Sequence, residues 1–182
     1  MEEKQTIIVT QRLILRPWLE EDAADLYALA KDPRVGPAAG WLPHTGVENS
    51  REIIRSVLSV PETYAVVPKL TGRVAGSASI MREGSAPMSP TEAEIGYWIG
   101  VPFWGNGLIP EAVRALLARC FTRLCVTGVW CGYFDGNEKS RRVQEKCGFV
   151  YHHTEENRVF SDGIARTEHF TYLSRERWER TL

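Results

Sequence analysis

Along the first third of the chain the apolar positions change period. In TIIVTQRLILRPW, Leu13 and Leu15 alternate with Arg12, Ile14 and Arg16, the period of two that a half-buried strand requires, and the run ends at Pro17. From residue 20 to 31 the spacing lengthens. Ala23, Leu26, Tyr27 and Ala30 stand at i, i+3, i+4 and i+7, which predicts an amphipathic helix, closed where Asp32 precedes Pro33. RVGPAAGWLPHTG, rich in Gly and Pro, reads as a loop carrying Trp41 and His44, and residues 47–58 read as a second helix.

Three strand-like runs follow at 63–68, 73–81 and 93–100, the first two joined by the turn signal Leu70-Thr71-Gly72-Arg73 and the last two by the polar loop REGSAPMSPT. A long helix is predicted from after Gly105 to about Leu124, with Ile109, Ala112, Val113, Leu116, Leu117, Cys120 and Leu124 on one stripe and Arg114 and Arg119 off it. Residues 126–133 then read as a strand, 137–146 as a helix ended by Gly148, and 149–157 and 166–173 as two more strands. Strands first, then strand, helix and strand in alternation, predict an α+β or mixed-sheet α/β layer fold with no internal repeat.

Composition narrows the function classes. At 182 residues the chain has the length of one domain, read here as spanning 1–182. Lys and Arg number 22 against 23 Asp and Glu, and a formal net charge of −1 offers a polyanion no electrostatic footprint, so nucleic acid is not the expected partner. No apolar run approaches the roughly 18 to 20 residues that cross a bilayer, and MEEKQTIIVT carries charges where a signal peptide would turn apolar; the expectation is a cytoplasmic protein with no membrane partner. Cys120, Cys125, Cys131 and Cys147 show no C-x-x-C spacing and no nearby His, which predicts reduced core thiols and no metal site.

The stretch EIGYWIGVPFWGNGLIPEAVRALL carries the most chemistry. A strand, a short loop, two glycines one residue apart and a strong helix make an anion cradle: Gly105 and Gly107 allow a tight turn and close approach, and the first-turn N–H groups of the helix point outward without internal partners. Pro110 has no N–H to lose there, and because it also stands where a third glycine would be needed, a dinucleotide G-x-G-x-x-G fingerprint is excluded. Taken alone, Gly-x-Gly is equally a tight connection and nothing more.

Together with NEKSRRVQEKCGF, AEIGYWI and the opening TQRLILRPW, the WGNGLIPEA segment resembles the GNAT superfamily of acetyl-CoA-dependent N-acetyltransferases, most closely the RimJ/RimL-like ribosomal-protein N-terminal acetyltransferases, over residues 10–172. The superfamily's phosphate loop reads Q/R-x-x-G-x-G/A; here Trp104 stands where Gln or Arg is usual and Ile109 at the last small position. The resemblance implies a GNAT fold: a mixed, mostly antiparallel sheet of seven strands, helices on both faces, and strands splayed at the acetyl-CoA site. It implies that backbone amides from Gly105 through Asn106, Gly107 and Leu108 to Ile109 hold the CoA pyrophosphate, that Asn137 bonds the pantetheine arm, and that Trp98, Ile99 and Gly100 pair with the pantetheine amides. Acetyl-CoA is then the co-substrate.

Transfer requires a neutral amine. An α-amino group with a pKa of roughly 7.7 to 8.0 is partly neutral at pH 7, whereas a lysine near 10.4 needs a base. By resemblance Glu94 is the general base, acting directly or through water, although a solvated strand residue or an ion-pair partner is the plainer alternative. The tyrosine that many GNAT enzymes place seven residues after the Asn is here Gln144, which cannot protonate a thiolate, so Ser140 is read as the donor to the CoA sulfur, with Tyr133 in reserve. Ser140 would otherwise be a helix-start residue bonded to local backbone. His152 and His153, adjacent in a strand, are predicted to point to opposite faces; these, His44 and His169 read as structural or surface groups. Lys139, Arg141 and Arg142 could reach the CoA 3′-phosphate or simply face solvent, and Trp41 and Trp98 could line an acceptor pocket or pack the core.

The leading acceptor, by subgroup resemblance, is a protein N-terminus; the alternatives are a small amine such as an amino acid, polyamine or antibiotic, or an acyl-CoA-binding module without turnover. Acceptor contacts are expected in the loops 35–45 and 82–91, and the chain is read as a monomer or homodimer.

Overall fold

The computed structural model describes residues 6–181, so the outer ends of the predicted domain, 1–5 and 182, lie outside the described residues. The chain divides into two compact units: one holds the chain up to Ser79 together with Tyr97–Ala112, the other holds Ile80–Gly96 and the chain from Val113 onward. Among the described residues eight strands occur, β1 (Ile8–Val9), β2 (Leu13–Arg16), β3 (Thr63–Pro68), β4 (Gly76–Met81), β5 (Glu92–Ile99), β6 (Gly128–Phe134), β7 (Val150–Val159) and β8 (Ala165–Ser174). The eighth arises because TIIVTQRLILRPW is a hairpin rather than one strand. Thr10 donates its N–H to the Leu13 carbonyl and accepts the Leu13 N–H at its Oγ1, so the chain reverses at Gln11-Arg12 and Ile8 pairs with Leu15.

In the first unit the strand order is β1-β2-β3-β4-β5, with β1 to β4 antiparallel. Helix α1 (Ala23–Ala30) follows a short 3-10 turn at Glu20–Asp22, and Asp22 fixes that entry by accepting both Arg16 guanidinium N–H groups, at 2.7 and 2.8 Å, and the Leu19 N–H. Helix α2 (Val47–Ile53) widens into a π-helical stretch over Ile54–Leu58. Trp18, Leu26, Ile54, Ala65, Val67 and Val74 form the core of this unit. The three tryptophans meet there: Trp18 stacks on Trp98 at 6.3 Å and Trp41 meets Trp98 edge-on at 5.7 Å. Such ring pairs add about 0.5 to 1.5 kcal/mol each beyond the area they bury. Trp41 and Trp98 are partly buried and pack against this core.

In the second unit the order is β5-β6-β8-β7. β5 and β6 are parallel, in register only from Glu92 opposite Gly128 to Glu94 opposite Trp130, while β6, β8 and β7 are antiparallel. One step beyond, the Ile95 carbonyl is met by the Cys131 thiol at 3.1 Å. Helix α3 (Leu108–Thr122) contributes residues to both units and buries the predicted stripe from Ile109 to Cys120, stopping two residues short of Leu124. Helix α4 (Glu138–Lys146) matches its prediction, and a further helix α5 (Arg175–Glu179) places Trp178 on Phe121 at 4.9 Å. Cys120, Cys131 and Cys147 are buried free thiols, but Cys125 is exposed, with φ 53°, just past the end of α3; the expectation of four core thiols fails there. Among the described residues no helix is long and apolar enough to cross a membrane.

Candidate active site

In the first unit, Gly105 and Gly107 have φ of 78° and 69°, values that cost any other L-residue roughly 1 to 2 kcal/mol. Around the position a Cβ would take on Gly105 there is open space. Among the described residues the N–H groups of Gly105, Asn106 and Gly107 donate to no protein acceptor, and all three residues are exposed. Leu108 and Ile109 open α3, where first-turn N–H groups lie outside the helical ladder, and Pro110 has none. Five consecutive residues therefore present backbone donors at the positive end of a fifteen-residue helix.

What shapes this loop is a residue that the local pattern did not single out. Arg12, in the turn between β1 and β2, donates from Nη1 to the Asn106 carbonyl at 2.9 Å and from Nη2 to the Gly107 carbonyl at 3.1 Å. Its Nε donates to Glu111 Oε2 at 2.6 Å, while Thr10 Oγ1 and the Arg12 N–H donate to Oε1. The loop carbonyls are thus turned inward onto a cation, and the opposite edge of the same peptides shows N–H. Burial raises the Glu111 pKa, but these bonds outweigh it and hold the carboxyl below its usual range. Trp104 anchors the other end, its indole N–H donating to the Ile99 carbonyl at 3.0 Å, with the Arg34 guanidinium 5.9 Å from its ring. Of the groups expected to pair with pantetheine, the Ile99 carbonyl is engaged by Trp104 and the Gly100 N–H by the Ala75 carbonyl at 2.8 Å.

In the second unit, Glu94 is buried at 5% exposure, and no ion pair to it is found among the described residues. Its Oε1 accepts the Ser85 hydroxyl and its Oε2 the Ala86 N–H, both at 2.8 Å, so the loop between β4 and β5 folds down onto it. Two positions earlier Glu92 accepts from Trp130 Nε1 at 3.0 Å, the Ser89 N–H at 2.9 Å and the Tyr172 hydroxyl at 2.9 Å. Burial pushes the Tyr172 hydroxyl up to about 12, helped by the Glu92 charge.

Asn137 is the N-cap of α4, its Oδ1 accepting the Ser140 N–H at 3.2 Å. Ser140 is half-buried and its Oγ lies 3.4 Å from Gln144 Nε2. Gln144 is a core residue at 1% exposure, donating to the Gly132 carbonyl at 2.9 Å and accepting the Thr171 hydroxyl at 2.7 Å. Tyr133, its ring tilted against His169 at 5.0 Å, has its pKa raised by burial. Arg141 is occupied along its own helix by Glu138 at 2.8 Å and Glu145 at 3.5 Å, and Lys139 and Arg142 are exposed.

Of the histidines, His44 bonds Ser50 at 2.8 Å and burial lowers its pKa; His169 bridges Thr154 and Asp135 at 2.7 and 3.1 Å. His152 and His153 do not point to opposite faces. A register shift between Tyr151 and His153 breaks the alternation, the two rings touch through their Nδ1 atoms at 2.8 Å, and both lie against Trp130, 4.7 and 6.0 Å from its centroid. Among the described residues no group of three or more His, Cys, Asp or Glu side chains could hold a metal ion.

The acetyltransferase (GNAT) domain family matches residues 12–150. YdaF of Bacillus subtilis (strain 168), provisionally named a ribosomal N-acetyltransferase, is 35% identical over 88 residues, a stretch that takes in 48% of this chain and 48% of YdaF, so the chain spans about half the length of that relative. Two solved structures share the fold. One, an acetyltransferase (GNAT family) from Bacillus anthracis, has a TM-score of 0.81 at 17% identity over 94% of this chain and 99% of its own. The other, Mycobacterium smegmatis RimJ in complex with CoA-disulfide, has a TM-score of 0.71 at 23% identity over 90% of this chain and 82% of its own. With eight strands, mostly antiparallel, and a braced Gly-x-Gly loop opening the longest helix among the described residues, the chain belongs to the GNAT acetyltransferase family.

Proposed function

We propose that this protein transfers the acetyl group of acetyl-CoA to a primary amine, with a protein or peptide N-terminal α-amine as the acceptor. The observation that carries the proposal is the row of outward N–H groups from Gly105 to Ile109, with the carbonyls of Asn106 and Gly107 turned onto Arg12. That row suits the oxygens of a diphosphate, and acetyl-CoA when bound supplies the activated thioester. The chain's own residues do the rest. The loop amides hold the diphosphate, Asn137 orients the pantetheine arm, Glu94 receives a proton from the amine side, and Ser140 donates a hydrogen bond to the sulfur as the thiolate departs. For Ser140 the α4 N-terminus adds a favourable partial positive charge.

Support for a peptide acceptor comes from the second unit, where Glu92, Glu94 and Glu168 line the elements under the 82–91 loop: carboxylates suit a cationic amine. YdaF's name points the same way.

The test is titration of the protein with CoA while following backbone amide signals, then free-thiol release from acetyl-CoA with peptides and small amines as acceptors. The expected result is shifts at Gly105, Asn106 and Gly107 and release that depends on a peptide N-terminus. Unmoved amides would remove the CoA site. Release that responds only to small amines would replace the acceptor, and acceptor-independent hydrolysis would leave a binding module.

A further inference from the structure

Strand β8 carries a carboxylate that the proposed mechanism does not use. Glu168 is 5% exposed and faces Glu155 directly across the β7–β8 pair, a like-charge pairing that a strand pair avoids unless one charge is offset or neutralised. On its other side β6 presents Gly132, where a Cβ would collide with Glu168 Oε1. Glu94 adds a third negative charge to the same neighbourhood.

One guanidinium serves them. Past the register shift between Glu155 and Arg158, with Asn157 at φ 56°, Arg158 turns back over the strand pair. Its Nη1 lies 3.1 Å from Glu155 Oε2, 3.2 Å from Glu168 Oε2 and 3.0 Å from the Ser85 carbonyl, to which it donates. His153 Nε2 lies 3.3 Å from Glu155 Oε1. Farther along the same face of β8, Arg166 is held by Asp162 and Tyr172 by Glu92.

The hydrogen bonds are unequally shared. Glu94 has a donor on each oxygen, the Ser85 hydroxyl and the Ala86 N–H. Glu168 Oε2 is buried and accepts none; Arg158 is near enough to attract it, but its Nη1 is divided among three oxygens. A buried carboxylate oxygen without a donor favours the protonated form. Burial, partly offset by Arg158 and reinforced by Glu94 and Glu155, accordingly raises the Glu168 pKa to about 7.

We infer that Glu168 is a second proton acceptor of the site beside Glu94, taking the proton that an ammonium acceptor loses before it attacks the thioester. The inference rests on the acetyl-transfer proposal for its chemistry. In the step, R–NH3+ gives one proton to the Glu168 carboxylate. The neutral nitrogen then attacks the thioester carbon; the C–N bond forms and the C–S bond breaks. The second proton leaves the nitrogen for Glu94 and ends on the CoA sulfur as the thiol, and Glu168 returns its proton to water.

The experiment has two arms. Protein labelled with 13C at its glutamate carboxyls is titrated from about pH 4 to about pH 9. One resonance, absent in Glu168→Gln, is expected to titrate near neutrality, and to move to lower pH in Glu94→Gln, which removes a neighbouring negative charge. A Glu168 midpoint near the ordinary value of about 4.3 would overturn the inference. In the second arm, kcat/KM for a peptide acceptor is followed against pH. Glu168→Gln is expected to lose about tenfold to a hundredfold above neutrality, with CoA affinity unchanged. A variant with the wild-type profile overturns the proton-transfer role. Failure of the wild type to acetylate any amine would instead remove the acetyl-transfer proposal and this role with it, and the carboxyl titration distinguishes that case.

Discussion

Arg12 commits all three of its guanidinium nitrogens within its own unit, two to the glycine loop and one to Glu111. Substitution by alanine frees the Asn106 and Gly107 carbonyls to turn outward, where they would face the diphosphate with the wrong charge. Because Arg12 is partly exposed, the loss is modest: Arg12→Ala is expected to weaken CoA binding by about tenfold, roughly 1.4 kcal/mol, with little change in kcat, measured by calorimetry and initial rates. Gly107 responds through the backbone instead. Gly107→Val asks a β-branched residue to hold φ 69° and should cost about 2 kcal/mol of stability or abandon the loop shape, which thermal melting and CoA titration together would separate.

At the scale of the element, helix α4 is held by its one buried side chain. Gln144 links the Gly132 carbonyl on β6 to the Thr171 hydroxyl on β8. Gln144→Ala leaves both without that partner and opens a cavity, so a loss of about 2 to 4 kcal/mol in denaturant unfolding is expected. The sequence pattern located α4 correctly but weighed Gln144 only as a replacement for a tyrosine; nothing in a run of EKSRRVQEK distinguishes a buried glutamine from an exposed one. α3 was legible because its apolar stripe alone specifies the face it buries, and β3 because its apolar run is buried almost throughout. The first hairpin was not, because its turn rests on Thr10 hydrogen bonds rather than on Gly or Pro. His152 and His153 were misassigned because a register shift has no local signature. Within the candidate site, the glycine loop was legible for the same reason a helix start is: its donors are backbone groups whose direction follows from chain geometry. Arg12 and Glu168 were not, since their roles depend on partners brought from 94 and more positions away and from neighbouring strands.

For the molecule as a whole, proton uptake sets how stability varies with pH. In the fold Glu168 keeps its proton up to about 7, whereas unfolded it releases it near 4.5. Between those values the folded state binds the extra proton, so this group's stabilisation is complete below about 4.5 and is lost as the pH rises through about 7. Glu111 runs the other way: its folded pKa is lowered, so its contribution is present above the unfolded value and disappears as the pH falls through the folded one. Melting temperature against pH should therefore decline from weakly acid toward neutral conditions, and Glu168→Gln should remove that decline while leaving the acid-side loss in place.

The two halves of the Arg12 brace are made far apart in time as well as in sequence, since 94 and 95 residues separate the guanidinium from the carbonyls it holds. During synthesis the glycine loop emerges with its final conformation unavailable until the opening hairpin has already docked. In the finished protein, any opening event that peels away that short edge hairpin would release the grip on the nucleotide, so hydrogen exchange at Ile8 and Val9 should slow when CoA is present.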